Sequence, residues 1–170
     1  MDNARLSNDK EAADIKLPPY SIEAEQSVLG GLMIDNAAMD AVTEQLVDID
    51  FYRGEHRHIF IAMQDLTRRN SPFDPLIISA EQKTRNQLEA AGGDAYLIEL
   101  ARNTPSTSNI LAYAQIVRER SVRRKLIQAA RRIADSAYNP EGRTSDELLN
   151  EAEGKCLPLP KNGLSLVARV

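Results

Sequence analysis

The stretch Pro18–Asn36, PPYSIEAEQSVLGGLMIDN, governs how the rest of the chain is read. Pro18 and Pro19 stop any upstream helix from running through, because proline lacks a backbone N–H and restricts the residue before it. Ser21 follows as an N-cap, and Glu23 and Glu25 set negative charge where a helix dipole is positive. Ile22, Leu29, Leu32 and Met33 recur at helical spacing. Gly30 and Gly31 then fall inside that helix, where each costs about 1 kcal/mol relative to alanine. A phosphate-cradling loop would need a following Lys-Ser or Lys-Thr and a preceding strand, and neither is present. The other reading is close approach, with a second backbone passing where a Cβ would be. The expected product is an apolar helix with a glycine notch.

The composition points the same way. The chain has 170 residues, of which 42% are hydrophobic, only 5% are aromatic and none is Trp. A length of this order suits one domain, or a domain with an appendage. A core resting on Leu, Ile, Ala and Met favours helices over strands, so the expected class is all-α. A net charge of −4 excludes the chain as a whole from acting as an electrostatic nucleic-acid binder. The single cysteine, Cys156, rules out an internal disulfide and fits a reducing compartment. No apolar run reaches the length of a signal-peptide core or a membrane span, so a soluble cytoplasmic protein without a membrane partner is expected.

Four segments are expected: a flexible tail over 1–17, a globular helical subdomain over 18–108, a helical hairpin over 109–154, and an atypical tail over 155–170. Within the second, Asn36 can cap a helix carrying Met39, Val42 and Leu46 on its inner face. Asp50 to Tyr52 reads as a turn. A helix through Ile59, Phe60, Met63 and Leu66 ends at Asn70-Ser71-Pro72. Ser79 and Gln82 can form a capping box for a helix running to Ala91, with Leu76 to Ile78 as a loop or lead-in. Gly92 and Gly93 end that helix, one of them left-handed. A short helix over Ala95 to Ala101 closes at Thr104-Pro105.

Asn109 is placed to cap the next helix, which has no Gly or Pro from Ile110 to Tyr138. At about 100° per residue, Ile110, Tyr113, Ala114 and Val117 share one side. Val122, Leu126, Ala130, Ile133 and Ala137 lie roughly half a turn round. A helix with one neighbour keeps one stripe; a stripe that changes face implies two packing partners along its length. Asn139-Pro140-Glu141-Gly142 is a tight-turn signal. Thr144 and Glu147 form a capping box for a following helix with Leu148, Leu149 and Ala152 on its apolar face. The result is an antiparallel hairpin with too little apolar surface to stand alone, which needs a second copy or another protein.

Catalytic chemistry is scarce. No GxxxxGK[ST] run occurs, so there is no phosphate loop for ATP. His56 and His58 point about 200° apart on a helix and cannot chelate one metal in the usual way; helix-start polar contacts are their expected role. Glu23 and Glu25 are explained by the dipole rather than by acid–base work. The basic run Arg118, Arg120, Arg123, Arg124, Lys125, Arg131 and Arg132 leaves three readings open: a phosphate contact, a docking face for an acidic partner, or a solvated helix face. The run has no aromatic stacking platform of its own.

Several blocks, in order, carry a family resemblance. They are Pro18–Asn36, DFYRGEHRHIF (Asp50 to Phe60), LEAAGGDAYLIELA (Leu88 to Ala101), NTPSTSNI (Asn103 to Ile110), YAQIVRER (Tyr113 to Arg120) and LLNEAE (Leu148 to Glu153). Together they resemble the N-terminal domain of the bacterial replicative DNA helicase, the DnaB family, over about four fifths of the chain. The resemblance implies an all-α globular subdomain followed by a projecting helical hairpin. It implies a role in DNA replication: self-association as a dimer, up to a trimer of dimers or hexameric collar, and docking of primase and a helicase loader, with DNA contacted only weakly or indirectly. ATP and Mg belong to the family's ATPase domain, so no catalytic, cofactor or metal residues are expected here. The residues expected at the hairpin dimer or partner interface are Arg124, Leu126, Ile127, Ala130, Arg131, Ile133, Leu148 and Leu149. Residues 155–170, with Pro158 and Pro160, depart from the family pattern; a frameshift, a truncated gene or a divergent end would each produce that. The alternative function is a truncated helicase paralogue acting as a DNA-binding or regulatory protein that modulates helicase assembly.

Overall fold

Ser21 starts the first helix as expected, its hydroxyl accepting from the Ala24 N–H at 3.3 Å. The computed structural model describes residues 16–104 and 106–156. Among them are seven α-helices and no strand: α1 (Ile22–Ile34), α2 (Met39–Thr43), α3 (Gly54–Arg68), α4 (Pro75–Thr84), α5 (Gly93–Arg102), α6 (Ile110–Tyr138) and α7 (Ser145–Cys156). Of the expected tails, all but residues 16, 17, 155 and 156 lie outside the described residues, as does Pro105.

The glycine notch organises the head of the molecule. A Cβ at Gly30 would run into the Leu100 carbonyl and the Thr104 hydroxyl, and one at Gly31 would meet the Ile110 side chain at 2.7 Å. The end of α5 and the start of α6 therefore seat directly on α1. With α3 on another side, α1 is buried all round from Val28 to Met33, a wider burial than its expected single face. Phe51, Ile59, Phe60, Met63, Ile78 and Leu97 complete a core with essentially no solvent exposure.

Several local expectations are corrected. Asp35, not Asn36, caps the turn after α1, through the Ala37 N–H at 3.2 Å. Asn36 instead stitches α1 to a distant loop. Its amide donates to the Leu32 and Phe73 carbonyls at 2.8 and 2.9 Å, and its oxygen accepts from the Phe73 N–H at 2.9 Å. Helix α4 starts at Pro75, with Asp74 as its N-cap accepting from Ile77 N–H at 2.8 Å. Proline at N1 is preorganised for that position, so Asp74-Pro75 wins over Ser79/Gln82, and Leu76 lies in the helix rather than in a loop. Ser79 and Gln82 are buried inside α4, bonded to Asp94 and to the His58 carbonyl. The helix stops at Thr84, short of Ala91, followed by Asn86 at φ 55°. Gly92 and Gly93 both take positive φ, 93° and 83°, and they open α5. Asn109 sits at the N-cap position of α6 but makes no side-chain capping bond.

Candidate partner-docking hairpin

Helix α6 has 29 residues and so extends about 43 Å. Its first half belongs to the head: Ile110, Ala114, Val117 and Ser121 are buried against it. The attachment then turns polar. Asp50, on a 3-10 turn over Asp48–Asp50, is fully buried. Its carboxylate accepts from the Ser121 hydroxyl at 2.6 Å, Lys125 Nζ at 2.8 Å, Arg118 Nη1 at 3.0 Å and the Val47 N–H at 3.0 Å. Burial pushes the Asp50 pKa up, but hydrogen bonds from Lys125, Ser121 and the Val47 N–H outweigh it and hold the carboxyl below its ordinary value.

Arg124 completes this root. It donates to the Pro19 carbonyl at 2.8 Å and the Asp50 carbonyl at 2.5 Å. Its guanidinium lies 5.5 Å from the Tyr52 ring centroid. Burial lowers its pKa from the usual arginine value. Arg124, expected at the hairpin interface, is thus committed to the head, because its side chain lies on the flank of α6 that still faces the bundle.

Past Lys125 the helix leaves the head. Leu126 and Ile127 are 50% and 39% exposed; Ala130 and Arg131 are exposed and Ile133 half-buried. The turn forms as read, with Glu141 and Gly142 at φ 50° and 83° and the Arg143 N–H donating to the Pro140 carbonyl at 2.9 Å. The Thr144/Glu147 capping box is present in both directions, at 2.7 and 3.3 Å. Helix α7 folds back on α6. Arg143 and Lys155 both pair with Glu151, and Lys155 also reaches the Ser136 hydroxyl at 3.2 Å. An open apolar groove remains, lined by Ile133, Ala137, Leu148, Leu149 and Ala152, with Leu149 63% exposed. Ile133, Leu148 and Leu149 meet in this groove, while Leu126, Ile127, Ala130 and Arg131 lie nearer the root.

A second polar cluster inside the head escaped sequence reading. His56 is fully buried in the first turn of α3. Its Nδ1 is 2.6 Å from Glu25 Oε2 and its Nε2 is 2.7 Å from the Tyr96 hydroxyl. Glu25 also accepts from the Tyr52 N–H at 2.6 Å. His56 does make helix-start polar contacts, but Glu25 is a buried clamp joining α1 to α3, not an exposed first-turn charge. His58 shares none of these partners. Among the described residues no group of three or more His, Cys, Asp and Glu could hold a metal ion, and no helix is long and apolar enough to cross a membrane.

Fold and site together define an all-α domain made of a helical head and a two-helix arm. The family described as DnaB-like helicase N terminal domain matches residues 17–119, and the chain belongs to that family. It is 45% identical over 147 residues, 86% of its length, to the replicative DNA helicase DnaB of Haemophilus influenzae. It is 44% identical over 142 residues, 84% of its length, to that of Geobacillus stearothermophilus. The chain spans about a third of these relatives, 31% in each case. What it shares with them is the N-terminal domain. The crystal structure of the N-terminal domain of DnaB helicase from Mycobacterium tuberculosis matches with TM-score 0.78 and 34% identity, over 83% of this chain and 99% of that one. The N-terminal domain of the Helicobacter pylori helicase, solved in a study that also treats its interactions with primase, matches with TM-score 0.61 and 25% identity, over 68% of this chain and 90% of that one.

Proposed function

We propose that this chain is an oligomerisation and partner-docking domain of a replicative DNA helicase, acting in the cytoplasm. In this reading residues 18–108 form the head and 109–154 the helical hairpin, whose first half is seated on the head and whose remainder past Lys125 is the arm. The arm pairs with a second copy, up to a trimer of dimers in a hexameric collar, and offers the pair to primase and a helicase loader. One observation carries the reading: beyond Lys125 the apolar residues Leu126, Ile127 and Leu149 are only partly covered by the described residues, remaining 50%, 39% and 63% exposed. A monomer gains nothing from holding them in water, whereas a second hairpin would bury them. Two solved relatives, a DnaB-like replicative helicase and the Helicobacter pylori domain, each described with its interactions with primase, support the docking half.

Sedimentation of the chain across a concentration series tests the pairing, with and without Ile133→Asp. The parent should form a dimer. The variant should lose it, because an aspartate facing an apolar contact costs on the order of several kcal/mol. Helicity by circular dichroism separates lost pairing from an unfolded arm. A parent that stays monomeric at hundreds of micromolar refutes the reading, and so does a folded variant that dimerises unchanged. Titration of primase against parent and variant then reports on docking.

A further inference from the structure

The basic run of α6 has no aromatic residue of its own, yet the fold brings two to it. Tyr20 and Tyr52 stack with ring centroids 4.5 Å apart and planes 10° from parallel. They remain 40% and 37% exposed. Arg124 lies over Tyr52 and fixes the neighbouring Pro19 carbonyl, so Tyr20 is held on Tyr52 beside the basic run while part of it stays exposed.

The cations beside this stack have no ion-pair partner among the described residues. Arg124 donates to the Pro19 and Asp50 carbonyls, and Arg57 to those of Phe51 and Tyr52. Carbonyls carry no counter-charge. Glu25 and Asp50 act on Arg124 through space, each being bonded elsewhere: Asp50 to Arg118, Ser121 and Lys125, and Glu25 to His56. Arg120 lies one turn before Arg124 and about 40° round the helix, on the same flank, with Arg131 about 20° from Arg120. Neither has an ion-pair partner among the described residues. Asp135, one turn beyond Arg131, weakens that end of the row. Arg57, Arg120 and Arg124 therefore carry the charge, and the tyrosine pair supplies a ring face at its centre.

We propose that Tyr20 and Tyr52, with Arg57, Arg120 and Arg124, form a weak, sequence-tolerant contact for single-stranded nucleic acid. An acidic peptide would use the guanidiniums but not the exposed ring, whereas a nucleobase stacks on the ring while its phosphates meet the arginines. The surface is separate from the apolar groove of the arm, so it stands or falls apart from the hairpin reading.

Fluorescence anisotropy of labelled oligothymidylate of about 20 nucleotides, titrated with the full chain, tests this. Binding should saturate at about 50 mM salt and weaken about tenfold by about 150 mM, as expected when roughly three cations displace counterions from a single strand. Tyr20→Ala should weaken it about tenfold while Tyr20→Phe keeps it. Arg120→Gln should flatten the salt slope by about 0.7. Circular dichroism of each variant checks the fold. The proposal is overturned by absence of saturable binding at the lower salt, or by a folded Tyr20→Ala that binds like the parent. Equal displacement of the oligonucleotide by oligoglutamate also overturns it and assigns the surface to an acidic protein.

Discussion

Replacing Gly30 with alanine sets two effects of opposite sign against each other. On helix propensity alone the change should stabilise α1 by about 1 kcal/mol. The packing says otherwise. The new methyl would overlap the Leu100 carbonyl, whose carbon lies 3.0 Å from the ideal Cβ position, and would strike the Thr104 hydroxyl as well. That hydroxyl donates to the same carbonyl at 2.8 Å, so neither atom can retreat without breaking the bond between them. Overpacking typically costs about 1–3 kcal/mol, and loss of the hydrogen bond adds about 1 kcal/mol. After subtracting the propensity gain, the expected net destabilisation is about 1–3 kcal/mol. For a chain of this size that lowers Tm by roughly 2–12 °C. Gly154→Ala provides the control. It lies within α7 with nothing within 4 Å of the added Cβ, so it should raise arm stability by up to about 1 kcal/mol. Urea unfolding followed by circular dichroism measures both. A Gly30→Ala protein at least as stable as the parent would mean that the notch is not a contact and that α5 does not seat on α1 there.

Asp50→Ala should cost about 2–3 kcal/mol, read from urea midpoints. The figure is below that of a fully buried pair because Arg118 and Lys125 can still reach water. The folded Asp50 carboxyl titrates below its ordinary 3.8, so its contribution is present above that value and lost as pH falls through the folded one. Thermal melts from pH 6 down to pH 3 should show a steeper loss in the parent than in Asp50→Asn. Glu25→Ala should destabilise by about 2–4 kcal/mol, since it strands the Tyr52 N–H and an imidazole nitrogen of buried His56; a melting curve like the parent's would contradict this. Purified chain should hydrolyse no ATP, with or without single-stranded DNA, and turnover that co-purifies with the monodisperse protein would refute that expectation.

Features set by residues three or four apart were readable from the chain. The Ser21 cap, the uninterrupted length of α6, the Pro140–Arg143 turn and the Thr144/Glu147 box all form as their local chemistry dictates. The glycine notch was readable as a close approach, though not what approaches it. One local competition went the other way: Asp74-Pro75 displaced Ser79/Gln82 as the start of α4, because proline at N1 pre-sets the backbone and the Ser79 hydroxyl had a buried partner in Asp94. The long-range polar contacts had no local signal. Glu25 and His56 lie 31 residues apart, and Asp50 and Lys125 lie 75 apart. An acidic residue in a first turn looks the same whether it faces water or a buried imidazole. The change of stripe on α6 after Val117 was readable, and the buried residues of α6 end at Ser121. The stripe could not reveal that Arg118, Arg124 and Lys125 bond to the head at the crossover.

Because α6 is one unbroken helix shared by head and arm, it works as a lever with its fulcrum at the Asp50 grip. Tyr138, the last residue of α6, lies 13 residues beyond Lys125, or about 20 Å along the axis. A tilt of about 10° at the grip would sweep the arm's tip through roughly 3.5 Å on that radius. That displacement approaches the width of a methyl group and is large on the scale of an interdigitated apolar contact. Neither Gly nor Pro interrupts the shaft to absorb the rotation, so a sub-ångström adjustment around one carboxylate is magnified severalfold where two arms would meet.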